Sequence, residues 1–323
     1  MRRIAAALLV PITASVVALA GCGSSGPAAS TNSGVSVSGP FNNAPNVTIP
    51  AHNPTAKLVI STPIKGSGAV LQPKNAALAN VALYKWSGTT HKLLDSTYTT
   101  GPQMIPAQMG LPGLATAMKG ARMGSRIVAV LPPKYGYGTS GQPQLGVTGS
   151  DTLVWVIDLL QQFSASQSAT GTSVSSGGGS LPSVSAKSGQ APVVTVPKKS
   201  PPAKLSVTTL IKGSGPTLQK GDTVVAQYVG VNWRTGKVFS ATWPSASQPS
   251  GLPFSFQLGG QVIPGWNSGL PNVTVGSRVM LVIPPALGYG PQGGQASAGI
   301  KKDDSLVFVI DILGKQTAAS ASH

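Results

Sequence analysis

Glutamate is absent from this chain. The only acidic residues are seven aspartates: Asp95, Asp151, Asp158, Asp222, Asp303, Asp304 and Asp311. Paired carboxylates for hydrolysis are hard to assemble from so few, four of them within two similar C-terminal strands. Histidine is limited to His52, His91 and His323, far apart, and the single cysteine is Cys22. These counts disfavour a metal cage and exclude an internal disulfide. Charged residues make up 9% of the 323 and aromatics 5%. The 23 Lys and Arg give a net charge of +16, but they are scattered, with only short pairs such as Lys198-Lys199 and Lys301-Lys302. A nucleic-acid binder would carry a basic stripe or a known module, so no nucleic-acid partner is expected. There is no Gly-x-Ser-x-Gly elbow, and Gly230 to Val238 lacks the spacing of a P-loop. No metal and no cofactor are expected.

What is abundant is Gly (40) and Pro (28). Arg2 and Arg3 precede an apolar run, Ile4 to Ala20, that ends in Leu19-Ala20-Gly21-Cys22. A charged start, an apolar middle and small residues at the cut make a secretory signal over residues 1–21. The run is short for a membrane span. Its end resembles a bacterial lipobox, in which the Cys22 thiol receives a diacylglyceryl group. The expectation is an exported protein, held by lipid on the outer side of the cell membrane; acyl chains contribute about 0.8 kcal/mol per buried CH₂. Residues 22–56 are rich in Ser, Gly, Pro and Asn and read as a disordered tether. Residues 163–203 read as a Ser/Gly/Pro linker, stiff near Pro201-Pro202, and 316–323 as a tail. Long polar linkers imply independent domains.

Between these lies a repeat. Leu58 to Gly68 recurs as Leu205 to Gly215, Leu131 to Gly138 as Ile283 to Gly290, and Asp151 to Leu160 as Asp304 to Leu313. The copies span residues 57–162 and 204–315, too long for solenoid units. Within the second, Thr223–Val229, Phe254–Leu258, Arg278–Ile283 and Asp304–Leu313 read as strands. The one plausible helix is short and starts near Gly265-Trp266. Many strands with one short helix imply an α+β domain, an antiparallel sheet wrapped around that helix.

Val262-Ile263-Pro264-Gly265-Trp266 places a large ring at the mouth of that helix. Tyr228, Phe239, Phe254, Phe256 and Tyr289 stand around turns in the same half. An apolar, aromatic pocket with two tyrosine hydroxyls suits a compact apolar group such as a proline ring. The ordered set Tyr228-Val229-Gly230, Gly236 to Phe239, Pro253 to Gly259, Val262 to Trp266, Val275 to Arg278, Gly288-Tyr289-Gly290 and Leu306-Val307-Phe308 resembles the FKBP family of peptidyl-prolyl isomerases, which bind tacrolimus and rapamycin. The match covers residues 204–315.

That resemblance implies two tandem FKBP-like domains and catalysis of prolyl cis–trans exchange in proline-containing exported polypeptides, with tacrolimus- or rapamycin-type macrolides as further ligands. It implies that Trp266 floors the pocket, that Tyr228, Phe239, Phe254, Val262, Ile263 and Phe308 line it, and that Ile300 covers it. The backbone N–H of Ile263 and the hydroxyl of Tyr289 would bind substrate carbonyls. The family commonly has Asp after the pocket Phe, where this chain has Ser240. The first copy reads as degenerate: Leu114 stands at the tryptophan position and Leu94 at that of Phe239, whereas Tyr84, Asp95, Tyr137, Val147 and Trp155 are taken as retained pocket positions. A non-catalytic chaperone or binding lipoprotein on the same fold is the competing reading.

Overall fold

The computed structural model describes residues 33–244 and 251–317; the signal peptide, Cys22 and most of the tail lie outside the described residues. The elements follow in two series. The first is β1 (Ser36–Ser38), β2 (Asn46–Thr48), β3 (Val59–Ile64), β4 (Asn75–Ser87), β5 (Thr90–Ser96), β6 (Gln103–Pro106), α1 (Pro112–Met118), β7 (Arg126–Leu131) and β8 (Thr152–Ser164). After the two-residue β9 (Thr172–Ser173), the second is β10 (Ser183–Ser185), β11 (Val193–Thr195), β12 (Ser206–Lys212), β13 (Thr223–Asn232), β14 (Val238–Ala241), β15 (Phe254–Gln257), α2 (Pro264–Gly269), β16 (Arg278–Ile283), β17 (Gly294–Gln295), β18 (Ile300–Lys301) and β19 (Leu306–Gln316).

Both main sheets are antiparallel and share one strand order. It is β3-β7-β8-β4-β5 in the first repeat and β12-β16-β19-β13-β14 in the second, with β6 and β15 on the same edges as β5 and β14. Ladder irregularities recur at matching places, between Leu78 and Ala79 and between Val225 and Ala226. Each helix is short and starts on a proline, whose missing N–H costs nothing at the first helical position. Gly113 and Gly265 let the helices lie close on the sheet: an added Cβ would sit 2.7 Å from Leu131 and 2.6 Å from Ile283.

β7 and β16 are buried at every position. An antiparallel sheet with one wet face would alternate, so both faces must be covered. The inner face packs on the helix side, with Leu114, Ile127, Leu131 and Ile157 in one repeat and Trp266, Leu281, Ile283 and Ile310 in the other. The outer face is covered by a short hairpin. Val35, Val37, Val47 and Ile49 of the β1–β2 segment pack on Trp86, Val128, Val130 and Val154. Leu181, Val184, Val194 and Val196 of the β10–β11 segment pack on Trp233, Met280, Val282 and Val307.

Residues 33–56 are thus not a disordered tether, and residues 163–203 are not a bare linker. Polar composition hid them because only every second hairpin residue faces the sheet, a burial pattern of exposed–intermediate–exposed in all four strands. The signal was present: Ser-Val-Ser recurs at 36 and 183, and Ala-Pro-x-Val-Thr at 44 and 191. Both hairpin segments are latched alike, since Trp86 Nε1 donates to His52 O at 3.0 Å and Trp233 Nε1 to Lys199 O at 2.9 Å.

A buried ion pair sits at the end of each sheet. Arg126 holds Asp158 through two bonds of 2.7 Å and donates to the carbonyls of Gly39, Pro40 and Asn43 in the hairpin loop. Arg278 holds Asp311 at 2.5 and 2.7 Å, and the Ala169 N–H caps that carboxylate at 2.9 Å. Such pairs persist only where hydrogen bonds replace lost water. The repeats also touch. Leu78, Phe163, Val225 and Leu313 form one small buried cluster, and Gln161 Nε2 donates to Lys315 O at 3.2 Å. The two units therefore do not stand independently.

A chain that begins at residue 57 loses the first hairpin, its apolar contacts and three acceptors of Arg126. Its first repeat is expected to be destabilised by at least about 3 kcal/mol relative to a chain beginning at residue 33. Urea unfolding checks this; equal midpoints would contradict the account.

Candidate functional site

The inner face of the second sheet carries a cleft of about 410 Å³. Its walls come from four places. β13 supplies Tyr228, β15 Phe254 and β19 Phe308, while the turn into α2 supplies Gly260, Gln261, Val262, Ile263, Pro264 and Trp266. Tyr289 and Gln292, from the turns after β16, close it.

The rings meet edge to face. Trp266 lies 5.3 Å from Tyr228 at 82°, 5.2 Å from Phe308 at 89° and 5.1 Å from Phe256 at 66°. This T-shaped packing sets positive ring edges against negative faces. Trp266 is buried, and its indole N–H has no acceptor among the described residues. Gly230 makes room for the set: an added Cβ would stand 2.8 Å from the Phe239 ring and 2.9 Å from that of Phe308. Phe254 is 40% exposed, so it forms the rim.

The polar groups are few. The Tyr228 hydroxyl pairs with Ser240 Oγ at 2.9 Å, so Ser240 orders the phenol where a carboxylate was the expected partner. Burial, and secondarily the proximity of Tyr228, raises the Tyr289 hydroxyl above the ordinary tyrosine value. It therefore remains a donor throughout the physiological range. Ile263 is the N-cap of α2, and its carbonyl accepts from the Trp266 N–H at 2.9 Å. Its own N–H meets no protein acceptor among the described residues. Asn267 fixes the cleft mouth by accepting from the Gly259 N–H at 2.7 Å and donating to Gly260 O at 3.1 Å.

Of the residues expected here, Tyr228, Phe254, Val262, Ile263, Trp266, Tyr289 and Phe308 converge on the cleft. Phe239 and Ile300 are not in its lining. Phe239 backs Phe308 at 5.5 Å, and Ile300, expected as a cover, is buried in the inner core. Sequence reasoning missed Gln261 and Gln292 at the mouth, for which no residue pattern gives a signal, and the spatial role of Gly230.

The first repeat holds no matching ring set. Strand pairing puts Val81 opposite Ile157 as Tyr228 lies opposite Ile310, so Val81, not Tyr84, occupies the tyrosine position. Tyr84 is three residues on, an odd step that turns it to the outer, hairpin-covered face. Leu83 stands where Gly230 does and is buried with Leu114, Val147 and Trp155 in the inner core, against which Leu94 and Tyr137 pack. Asp95 occupies the position of Ser240 and is exposed; with Val81 in place of the tyrosine it has no phenol to order.

Fold and cleft together define a class: tandem antiparallel domains, one with an uncharged, ring-walled cleft suited to an apolar ring. The family model described as FKBP-type peptidyl-prolyl cis-trans isomerase matches residues 72–160 and 215–313, and the chain belongs to that family. It is an isomerase of prolyl peptide bonds, with two copies of the domain. Among its relatives, the FK506-binding protein of Streptomyces anulatus is 43% identical over 124 residues, 38% of this chain and 94% of that protein. The probable FK506-binding protein of Corynebacterium glutamicum is 36% identical over 123 residues, 38% of this chain and 96% of that one. A solved structure of FkpA from Escherichia coli aligns at 38% identity over 36% of this chain and 49% of that one, with a TM-score of 0.31.

Gly230→Ala puts a methyl group into contact with both rings while leaving strand geometry allowed. It is expected to lower kcat/KM for prolyl exchange about tenfold or more, equivalent to ~1.4 kcal/mol of barrier, with circular dichroism unchanged. Full activity would mean that the rings tolerate displacement and that Gly230 is not needed for the cleft.

Proposed function

We propose that the second repeat carries the isomerase activity and acts on proline-containing polypeptides exported from the cell. In this reading the chain is cut before Cys22, lipidated there and held on the outer side of the membrane. Its signal falls at 1–21 and its tether at 22–32; the connection between the repeats runs from 165 to 182 and carries β9, the tail follows β19, and the hairpins belong to the repeats they cover. Each sheet curls around its short helix, and in the second repeat this brings the cleft to the helix mouth. The observation that carries the reading is the cleft itself, walled by Tyr228, Phe254, Trp266 and Phe308 and free of charge.

The chemistry needs no proton transfer. Amide resonance sets a barrier of ~18–20 kcal/mol to rotation. The planar amide is more polar than the twisted one. An apolar, water-poor cleft therefore disfavours the ground state relative to the transition state. Trp266 supports the proline ring; Tyr228, Phe254, Val262 and Phe308 enclose it. The Ile263 N–H and the Tyr289 hydroxyl hold the flanking carbonyls, so rotation is confined to one bond. The same surface would accept a macrolide of the tacrolimus or rapamycin type.

A second reading applies to the first repeat. Leu83 and Leu114 fill the place that Gly230 and the Trp266 ring define in the other copy. This favours a non-catalytic, protein-holding module there.

In the full chain, Trp266→Leu is expected to remove nearly all acceleration of a prolyl test peptide, and Tyr289→Phe to lower kcat/KM by roughly tenfold, the loss of one hydrogen bond. Wild-type rates in both variants would overturn the assignment; substantial activity left in Trp266→Leu would place catalysis in the first repeat as well. Because the two cleft tyrosines are its only ionisable lining groups among the described residues and Tyr289 is shifted upward by burial, kcat/KM is expected to be flat between about pH 5 and pH 9. A bell-shaped profile would reveal a titrating group that this reading omits.

A further inference from the structure

We propose that the second repeat grips its polypeptide at a second place: a cationic pocket, round the end of the sheet from the cleft, that takes an acidic stretch several residues away from the proline. This rests on the isomerase reading above and deepens it. The pocket has a volume of about 990 Å³ and lies between the exit of the β10–β11 hairpin, the β13–β14 turn and the approach to β19. Lys198 and Lys199 line it from the first of these, Arg234 from the second and Lys301 from the third.

Most of this charge is unpaired. Arg234 holds Asp304 at 2.6 and 2.8 Å. Lys198, Lys199 and Lys301 are exposed and have no carboxylate partner among the described residues. Asp303 is the other carboxylate in the lining, and the three lysines outnumber it. The segment that carries two of them is stiff. Pro197 and Pro201 flank it, the Lys199 N–H donates to Pro197 O at 2.8 Å, and the Lys199 carbonyl accepts from the Trp233 indole at 2.9 Å. A fixed backbone spares part of the ordering cost when an anion arrives.

The fold does not need these cations. The first repeat has the same latch and the same buried aspartate, yet Ala51, His52, Ser87 and Thr148 stand where Lys198, Lys199, Arg234 and Lys301 do. There the Ser87 hydroxyl and the Thr148 N–H hold Asp151, as Arg234 and the Lys301 N–H hold Asp304. Lys85 and Lys92 of the first repeat match Asn232 and Lys237, which are outside the lining. The copy with the open cleft is therefore the copy with the cationic pocket. A contact with anionic lipid would have no reason to follow the cleft, and the repeat nearer to Cys22 in sequence is the one without these cations.

Cleft and pocket share one end of the sheet. Phe308 lines the cleft, and Ser305, three residues earlier, lines the pocket. Ile300 is buried with Trp266 and Phe308, and the next residue, Lys301, lines the pocket. Three residues of strand cover about 10 Å, and rounding the end of the sheet adds about as much again. A polypeptide would bridge the two contacts with ~6–8 extended residues. The anions that such a chain carries are carboxylates, and several cations around one concavity sum their fields on them.

The test uses the full chain and peptides that join Ala-Leu-Pro-Phe to Glu-Glu-Glu through a Gly/Ser linker of two or eight residues, with the acidic end on either side. Matching peptides carry Gln-Gln-Gln, and exchange is followed by NMR. At ~20 mM salt the Glu peptide with the long linker is expected to exceed its Gln counterpart about tenfold in kcat/KM in at least one orientation, through KM with kcat unchanged. With the short linker the advantage should be about twofold or less. Replacing Lys198→Gln, Lys199→Gln and Lys301→Gln together is expected to remove the advantage and leave rates on the Gln peptides unchanged. Trp266→Leu should abolish exchange yet keep wild-type affinity for a proline-free Glu peptide, read by fluorescence anisotropy. Equal kcat/KM on Glu and Gln peptides would overturn the proposal, and an advantage indifferent to linker length would reduce it to the general field of a chain of net charge +16 and overturn it too. Loss of binding to phosphatidylglycerol vesicles in the triple variant, with peptide kinetics unchanged, would give the pocket to a lipid headgroup instead. A chain that binds the proline-free Glu peptide but accelerates no peptide would overturn the isomerase reading, and the pairing of pocket with cleft along with it.

Discussion

Burial of an antiparallel sheet on both faces is the constraint from which the rest follows. Arg126–Leu131 and Arg278–Ile283 expose no side chain, and each needs a cover on either side. The inner cover is a helix of six or seven residues with the loops around it. The outer cover is a hairpin of two three-residue strands. Such a hairpin would be unstable in isolation. It is ordered here because alternate residues find an apolar surface and an indole N–H already in place. The helix is equally dependent, being far too short to persist in water.

Rigid walls make the cleft. Its rings stand on strands of a sheet that cannot shift without disturbing the other face, and on a helix start held by Pro264 and by the contact of Gly265 with Ile283. An indole packed edge-on against three rings has little freedom. Asn267 then fixes the Gly259-Gly260 turn at the mouth. The cleft can therefore be left uncharged and empty of its own side chains, which is what an apolar, rotating substrate requires.

The two repeats show how little separates a cleft from a core. Their strand order, their ladder irregularities, their buried Arg–Asp pairs and their hairpin latches correspond. At the inner face, however, Gly230 is matched by Leu83, Trp266 by Leu114 and Tyr228 by Val81. A leucine in the space beside the rings substitutes packing for a cavity. Stability favours the filled version, since a void forfeits dispersion contacts. The open version in the second repeat is the one that needs a functional reason.

The amino-acid sequence by itself determined the repeat, the strands, the Pro-Gly-Trp start of α2 and most of the ring set, because continuous β-branched runs and a proline before a glycine have local conformational meanings. It also carried the hairpins as recurring Ser-Val-Ser and Ala-Pro-x-Val-Thr segments, but their polar composition concealed them. Only the tertiary structure decided which face each side chain took. A strand side chain changes sides at every step, so the three-residue difference between Val81 and Tyr84 reverses the assignment, and no local pattern fixes that register. Only the tertiary structure, too, brought Ser240 to the Tyr228 hydroxyl and Gly230 between two rings. Those contacts join residues from separate elements, and their distances are set by how the sheet, helix and turns pack rather than by any preference of the residues themselves.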